Sequence, residues 1–220
     1  MGRCDDRPGH EPEPLRAERA HAHERPAVGA EAERDRVVEE GHATSIADVA
    51  RLSLGDPAPF FELPGVDGRT YALADFEGLP LAVVFSCCHC PYVIAWEDRL
   101  NAIARDYRGR AALVAVNANH HLGDSFEEMK RRAEEKRFVF PFLRDESHEV
   151  ARAYGPGRTP EVFLFDRGRR LAYHGAPDSD HRNPEGARPY LREALDAVLT
   201  EREPPLAETP VVGCSVKWSR

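Results

Sequence analysis

The stretch Phe85-Ser86-Cys87-Cys88-His89-Cys90-Pro91-Tyr92-Val93 decides how this chain folds. Before it runs Leu81-Ala82-Val83-Val84-Phe85, continuously apolar. After it, Val93, Trp96, Leu100, Ile103 and Tyr107 recur at helical spacing. A buried strand therefore leads directly into a helix, with three of the five cysteines at the junction. A helix N-terminus offers unpaired N–H groups and positive partial charge, which favour thiolate over thiol. Thiolate is the nucleophilic form, so the junction has the chemistry of a redox cysteine.

Cys87 and Cys90 form a CxxC pair, and Pro91 distinguishes them. With Cys87 as N-cap, Pro91 would fall fourth in the helix, where its missing N–H removes the first intrahelical bond. With Cys90 as N-cap, Pro91 takes the favoured first position. Cys90 is therefore the expected low-pKa nucleophile, and Cys87, just ahead of the helix, its resolving partner. Cys88 cannot readily bridge to its neighbour Cys87, because such a ring is strained.

Working outward, Phe60–Leu63 and Arg69–Leu73 flank a Gly-containing loop and read as a hairpin. Ala111–Val116 is a second continuous apolar run, hence a buried parallel strand. Ser125-Phe126-Glu127-Glu128 is a capping box opening a helix to about Arg137. Phe138–Leu143 reads as a short strand, and a helix from about Ser147 to Tyr154 stops at Gly155. Glu161–Phe165 and Arg170–Tyr173 read as strands around an Asp166-Arg167-Gly168 turn. Asn183-Pro184 is expected to open the last helix, with Pro184 at its first position. Its apolar face is Leu191, Ala194, Leu195 and Val198, and Pro204-Pro205 ends it. This order predicts an α/β sandwich with a mixed central sheet.

Residues 1–52 differ from the rest. They are crowded with Arg, Glu, Asp, His and Pro, and cannot bury enough apolar surface to offset ordering entropy, so a disordered charged tail is expected. A second reading makes the tail non-native, from a start codon placed too far upstream in a GC-rich genome; mass spectrometry of the natural N-terminus tests it. Cys4 lies there and is expected to be inert. Residues 53–203 should form the folded domain, with 204–220 an extended segment packed on it. A net charge of −8 and a pI of 5.7 argue against nucleic-acid or anionic-membrane partners. There is no apolar run near the roughly 18 residues of a membrane span, and no signal-peptide h-region, so a cytoplasmic location is expected. In that compartment paired cysteines signal redox chemistry or metal more than structural disulfides.

The strand–helix order, with cysteine at the first junction and Thr159-Pro160 directly before a strand, resembles a thioredoxin-type three-layer sandwich. That fold places a cis-proline opposite the reactive cysteine. The five-residue step from Phe85 to Cys90 also resembles the spacing seen there. More specifically, the chain resembles the peroxiredoxin-like (AhpC/TSA, redoxin) branch with a CxHCP motif. The matching pieces are Leu54–Pro64, Cys87–Val93, Asn117-Ala118-Asn119, Arg158–Phe163 and Gly213–Trp218, in order over about 54–218. The resemblance implies an antioxidant-type oxidoreductase, carries over Cys87, Cys90 and Pro160 with its neighbour Thr159, and draws Cys214 into the domain. One departure matters. The family's PxxxTxxC pattern would put proline at Val83 and threonine at Cys87, so the peroxide-polarising groups are missing. Arg158 is the cation that could substitute.

The principal expectation is a thiol–disulfide oxidoreductase acting on protein or small-molecule disulfides, with an unidentified thiol electron donor. A thiol peroxidase reducing hydroperoxides through Cys90 is the second reading. A soft-metal-binding module using Cys87, Cys90, His89 and Cys214 is the third. With no second CxxC and no HxxxH, no metal or cofactor is assigned. Auxiliary candidates are Cys214 as a second resolving thiol, His89 as a thiolate-stabilising cation or an exposed loop residue, Cys88 and Arg158. Trp96 and Tyr107 read as core, His120-His121 as a solvated loop, and Asp178, Asp180 and His181 as a polar loop without ligand spacing.

Overall fold

A computed structural model describes residues 51–218 of the chain. The expectations for residues 1–50, including Cys4, lie outside them. A short hairpin, β1 (Glu62–Pro64) and β2 (Thr70–Ala72), opens the described region. There follow β3 (Leu81–Phe85), α1 (Pro91–Asp106), β4 (Ala112–Asn117), α2 (Phe126–Lys136), β5 (Phe142–Arg144) and α3 (Glu149–Tyr154). Next come β6 (Arg158–Thr159), β7 (Glu161–Phe165), β8 (Leu171–Gly175), α4 (Tyr190–Leu199) and β9 (Cys214–Ser215). Five strands form one mixed sheet in the order β5-β4-β3-β7-β8. The β3–β4 and β4–β5 pairs are parallel; β3–β7 and β7–β8 are antiparallel. This is the thioredoxin-like sandwich that the sequence predicts.

The sheet is covered on both faces, which is why β3 reads as an unbroken apolar run. Its side chains alternate between two cores. Ala82 and Val84 pack with Trp96, Leu100 and Ile103 of α1 and with Leu191 and Leu195 of α4. Leu81, Val83 and Phe85 pack on the other face with Phe61, Phe76, Val150 and Tyr154. Phe85 meets Tyr154 at a centroid separation of 5.4 Å and Phe163 edge-on at 5.8 Å. These contacts fix the C-terminal end of β3, and therefore where the cysteine run begins. Among the described residues no helix is long and apolar enough to cross a membrane.

Two element expectations are corrected. The last helix begins at Tyr190, with Pro189 as its N-cap, rather than at Pro184. Asn183 instead accepts a bond from the Gly186 N–H, closing a separate turn that ends before the helix starts. The strand placed at Phe138–Leu143 is confined to Phe142–Arg144. Phe138 and Phe140 stack on one another at 4.7 Å and fill the core as a loop, and Pro141 lacks the N–H a ladder needs.

Candidate thiol active site

Pro91 determines the site's register. Cys90 is the N-cap of α1, in extended conformation (φ −77°, ψ 123°), and Pro91 occupies the first turn. Cys90 is fully buried, and Cys87 and Val93 pack beside it. Opposite them the Thr159–Pro160 peptide is cis. The Cys87 sulfur shares a hydrogen with the Thr159 hydroxyl at 3.4 Å, and the Cys90 sulfur lies 3.4 Å from the Thr159 carbonyl. Residues from two distant stretches thus face each other across the thiols.

The third wall comes from the C-terminal segment. His174 N–H donates to the Ala207 carbonyl and Thr209 N–H to the His174 carbonyl, laying residues 207–209 along β8. The segment then pairs as β9 with β6, Thr159 opposite Cys214 and Arg158 opposite Ser215. Gly213 permits this approach: a Cβ there would stand 2.0 Å from the Thr159 carbonyl oxygen. Arg158 donates to the Gly213 carbonyl at 2.8 Å. The outcome is a Cys214 sulfur 2.8 Å from that of Cys90. Asn119 links this strap to the cysteine run. Its amide donates to the Ser86 carbonyl and its oxygen accepts from Lys217 N–H.

Asp124, which the sequence did not single out, organises the loop between β3 and α1. It is fully buried. One carboxylate oxygen accepts from Cys88 N–H at 2.6 Å and from the Asn117 amide at 3.0 Å; the other meets His89 Nδ1 at 2.5 Å. His89 in turn stacks on His121 at 4.1 Å. An aspartate between a histidine pair and a capping box is a common loop pattern, so nothing local in the sequence marks it.

The electrostatics separate the thiols. The hydrogen bond from the Cys87 thiol is the main influence lowering the Cys90 thiol, to about 4. Burial opposes it, while the Cys214 thiol and the Val93 and Cys214 backbone amides assist. The Thr159 carbonyl can hold only the protonated form, but one acceptor faces several donors. Cys87 moves the other way, far above the ordinary thiol range, through the same bond and through burial. Burial and the bond to Cys90 raise Cys214 to about 11. Burial, then the charge of Asp124, raises Cys88 to about 12.

The structure therefore brings together Cys90, Cys87, Cys214, Thr159 and Pro160. It leaves Cys88 to one side, half-buried against the core around α1. His89 is engaged with Asp124 and is not among the main groups lowering Cys90. Arg158 is spent on Gly213. His121 is exposed yet not merely solvated, since it stacks on His89. Asp178 is buried, accepting from Trp96 Nε1 and Arg99, so the loop read as polar is a structural anchor.

A sandwich of this topology with cysteine at the N-cap of its first long helix defines a thioredoxin-like thiol oxidoreductase. Residues 54–174 match the AhpC/TSA family, and the chain belongs to that family. Its fold superposes on a hypothetical protein from Sinorhizobium meliloti with TM-score 0.72 and 36% identity, covering 77% of this chain and 97% of that one. It is 25% identical to the thiol-disulfide oxidoreductase ResA of Geobacillus thermodenitrificans, over 59% of this chain and 73% of the relative. It is 31% identical to peroxiredoxin Bcp of Escherichia coli K12, over 47% of this chain and 65% of the relative. The chain thus spans just under two thirds of the peroxiredoxin's length.

Proposed function

We propose that the Cys90 thiolate attacks a protein or small-molecule disulfide, forming a mixed disulfide and expelling one substrate thiolate. Cys87 then attacks the Cys90 sulfur, releases the second thiolate and leaves a Cys87–Cys90 disulfide, which a thiol donor reduces. The observation that carries this reading is a buried, acid-shifted Cys90 hydrogen-bonded to two further thiols opposite a cis-proline. The proton on Cys87 suits the sequence of steps. Its largest support is the bond to Cys90, and that support is lost once the Cys90 sulfur is bonded to substrate. Cys87 then becomes easier to ionise when it must resolve. In the test, Cys90→Ser abolishes disulfide reduction, while Cys87→Ser combined with Cys214→Ser, which removes both neighbouring thiols, traps a mixed disulfide on Cys90. A trapped adduct on Cys87 in the Cys90→Ser protein would reverse the assignment. A cytoplasmic setting, where thiol donors keep such pairs reduced, belongs to this reading; cell fractionation tests it.

The burial of Cys90 favours a second reading. A thiolate with 0% exposure suits a small oxidant. Attack on a hydroperoxide yields a Cys90 sulfenic acid and an alcohol, and condensation with a second thiol yields a disulfide and water. Against it stand Cys87 and Val83 where the family pattern has threonine and proline, and the commitment of Arg158 to Gly213. Stopped-flow reaction with hydrogen peroxide separates the two readings. Rapid loss of the Cys90 thiol at micromolar peroxide selects the peroxidase.

A further inference from the structure

We propose that Cys87, His89 and Asp124 form a binding site for a single divalent zinc ion in the reduced protein. One ligand atom from each, the Cys87 sulfur, a His89 ring nitrogen and an Asp124 carboxylate oxygen, lie within 4.8 Å of one another. Sulfur, imidazole and carboxylate are the donor set that zinc takes, and three protein ligands leave a fourth position open. With Zn–S near 2.3 Å and Zn–N near 2.0–2.1 Å, a tetrahedral edge is about 3.5 Å, so the most widely separated donors close by up to roughly 1 Å while His89 Nδ1 and Asp124, now 2.5 Å apart, open by about as much to admit the ion. His89, partly exposed on the loop, can supply that movement.

The surroundings are already arranged for it. Asp124 spends one oxygen on Cys88 N–H and the Asn117 amide, which aims the other at His89. The Thr159 hydroxyl stands on the Cys87 sulfur and can donate to it as thiolate. Such outer partners orient ligands in metal sites. A fully buried carboxylate also needs positive charge close by, and the ion provides it between two groups that the redox steps do not use. This set differs from the one expected from sequence: Asp124 replaces Cys90 and Cys214. Binding exchanges the Cys87 proton for the metal and leaves Cys90 free. Cys214 is then the thiol available to resolve it, and a Cys87–Cys90 disulfide excludes the ion. Zinc would thus choose between the two resolving partners.

The test titrates full-length reduced protein with zinc against a chromophoric chelator, without turnover, so its failure is distinct from failure of the redox assignment. One equivalent should bind, weakened about 100-fold in Asp124→Asn and at least as much in Cys87→Ser, and unchanged in Cys214→Ser. Cobalt in place of zinc should show a thiolate charge-transfer band that is absent from Cys87→Ser. The disulfide form should bind none. Absence of binding to the reduced protein would overturn the site, as would retention in Asp124→Asn or loss in Cys214→Ser.

Discussion

The sulfur of Cys90 lies 2.8 Å from that of Cys214, although 124 positions separate them in sequence. A disulfide of about 2.05 Å needs the two to close by less than ~1 Å. Mild oxidation of Cys87→Ser should therefore give a Cys90–Cys214 bridge, identified by peptide mapping. Only free or overoxidised Cys90 would reduce Cys214 to packing.

Cys90 should alkylate with iodoacetamide along a pH profile centred well below the usual thiol value of about 8.5. Both Cys87→Ser and Cys214→Ala should shift the midpoint. The alanine must move it upward, since a donor is lost. Stability follows with a defined sign. A folded-state pKa held down to about 4 contributes stability in full above the unfolded value, and that contribution is lost as pH falls toward 4. The melting-temperature gap between wild type and Cys90→Ser should therefore widen from pH 4 to pH 8.5. A gap that narrows over that range contradicts the assignment.

Gly213→Ala should loosen the strap without disturbing α1. Its Cβ would stand 2.0 Å from the Thr159 carbonyl oxygen and 2.7 Å from the carbonyl carbon, both backbone atoms. Overpacking of this kind costs about 1–3 kcal/mol. The Cys90–Cys214 bridge should form poorly in the Cys87→Ser background, while wild-type Cys87–Cys90 oxidation persists. An undiminished bridge yield would show that the close approach is dispensable.

Asp124→Ala should destabilise the active-site loop. It leaves Cys88 N–H and the Asn117 amide without their acceptor in a buried site, at about 2–4 kcal/mol. For a domain of this size that is on the order of 5–10 °C in Tm, readable by calorimetry. Asp124→Asn, which keeps an acceptor, should lose less. Equal losses would place the effect on charge rather than on hydrogen bonding.

Local sequence determined much of the site. The apolar run 81–85, the helical spacing from Val93 to Tyr107, and Pro91 after Cys90 fix a strand, a helix and the capping cysteine, because each depends on neighbours within a turn or two. Thr159-Pro160 before an apolar strand was legible for the same reason. What the sequence left open depends on distance through space. That Asp124 rather than a thiol binds His89 follows from the β4–α2 loop folding under the cysteine run. That Arg158 clamps Gly213 follows from β6 pairing with β9. The position of Cys214 against Cys90 rests on a glycine with no side chain to clash, 54 residues after Thr159 in the chain yet in contact with it. Spacing along a chain encodes the hydrogen bonds of a helix; the pairing of remote strands is encoded only in the packed whole, where burial and steric fit select one arrangement.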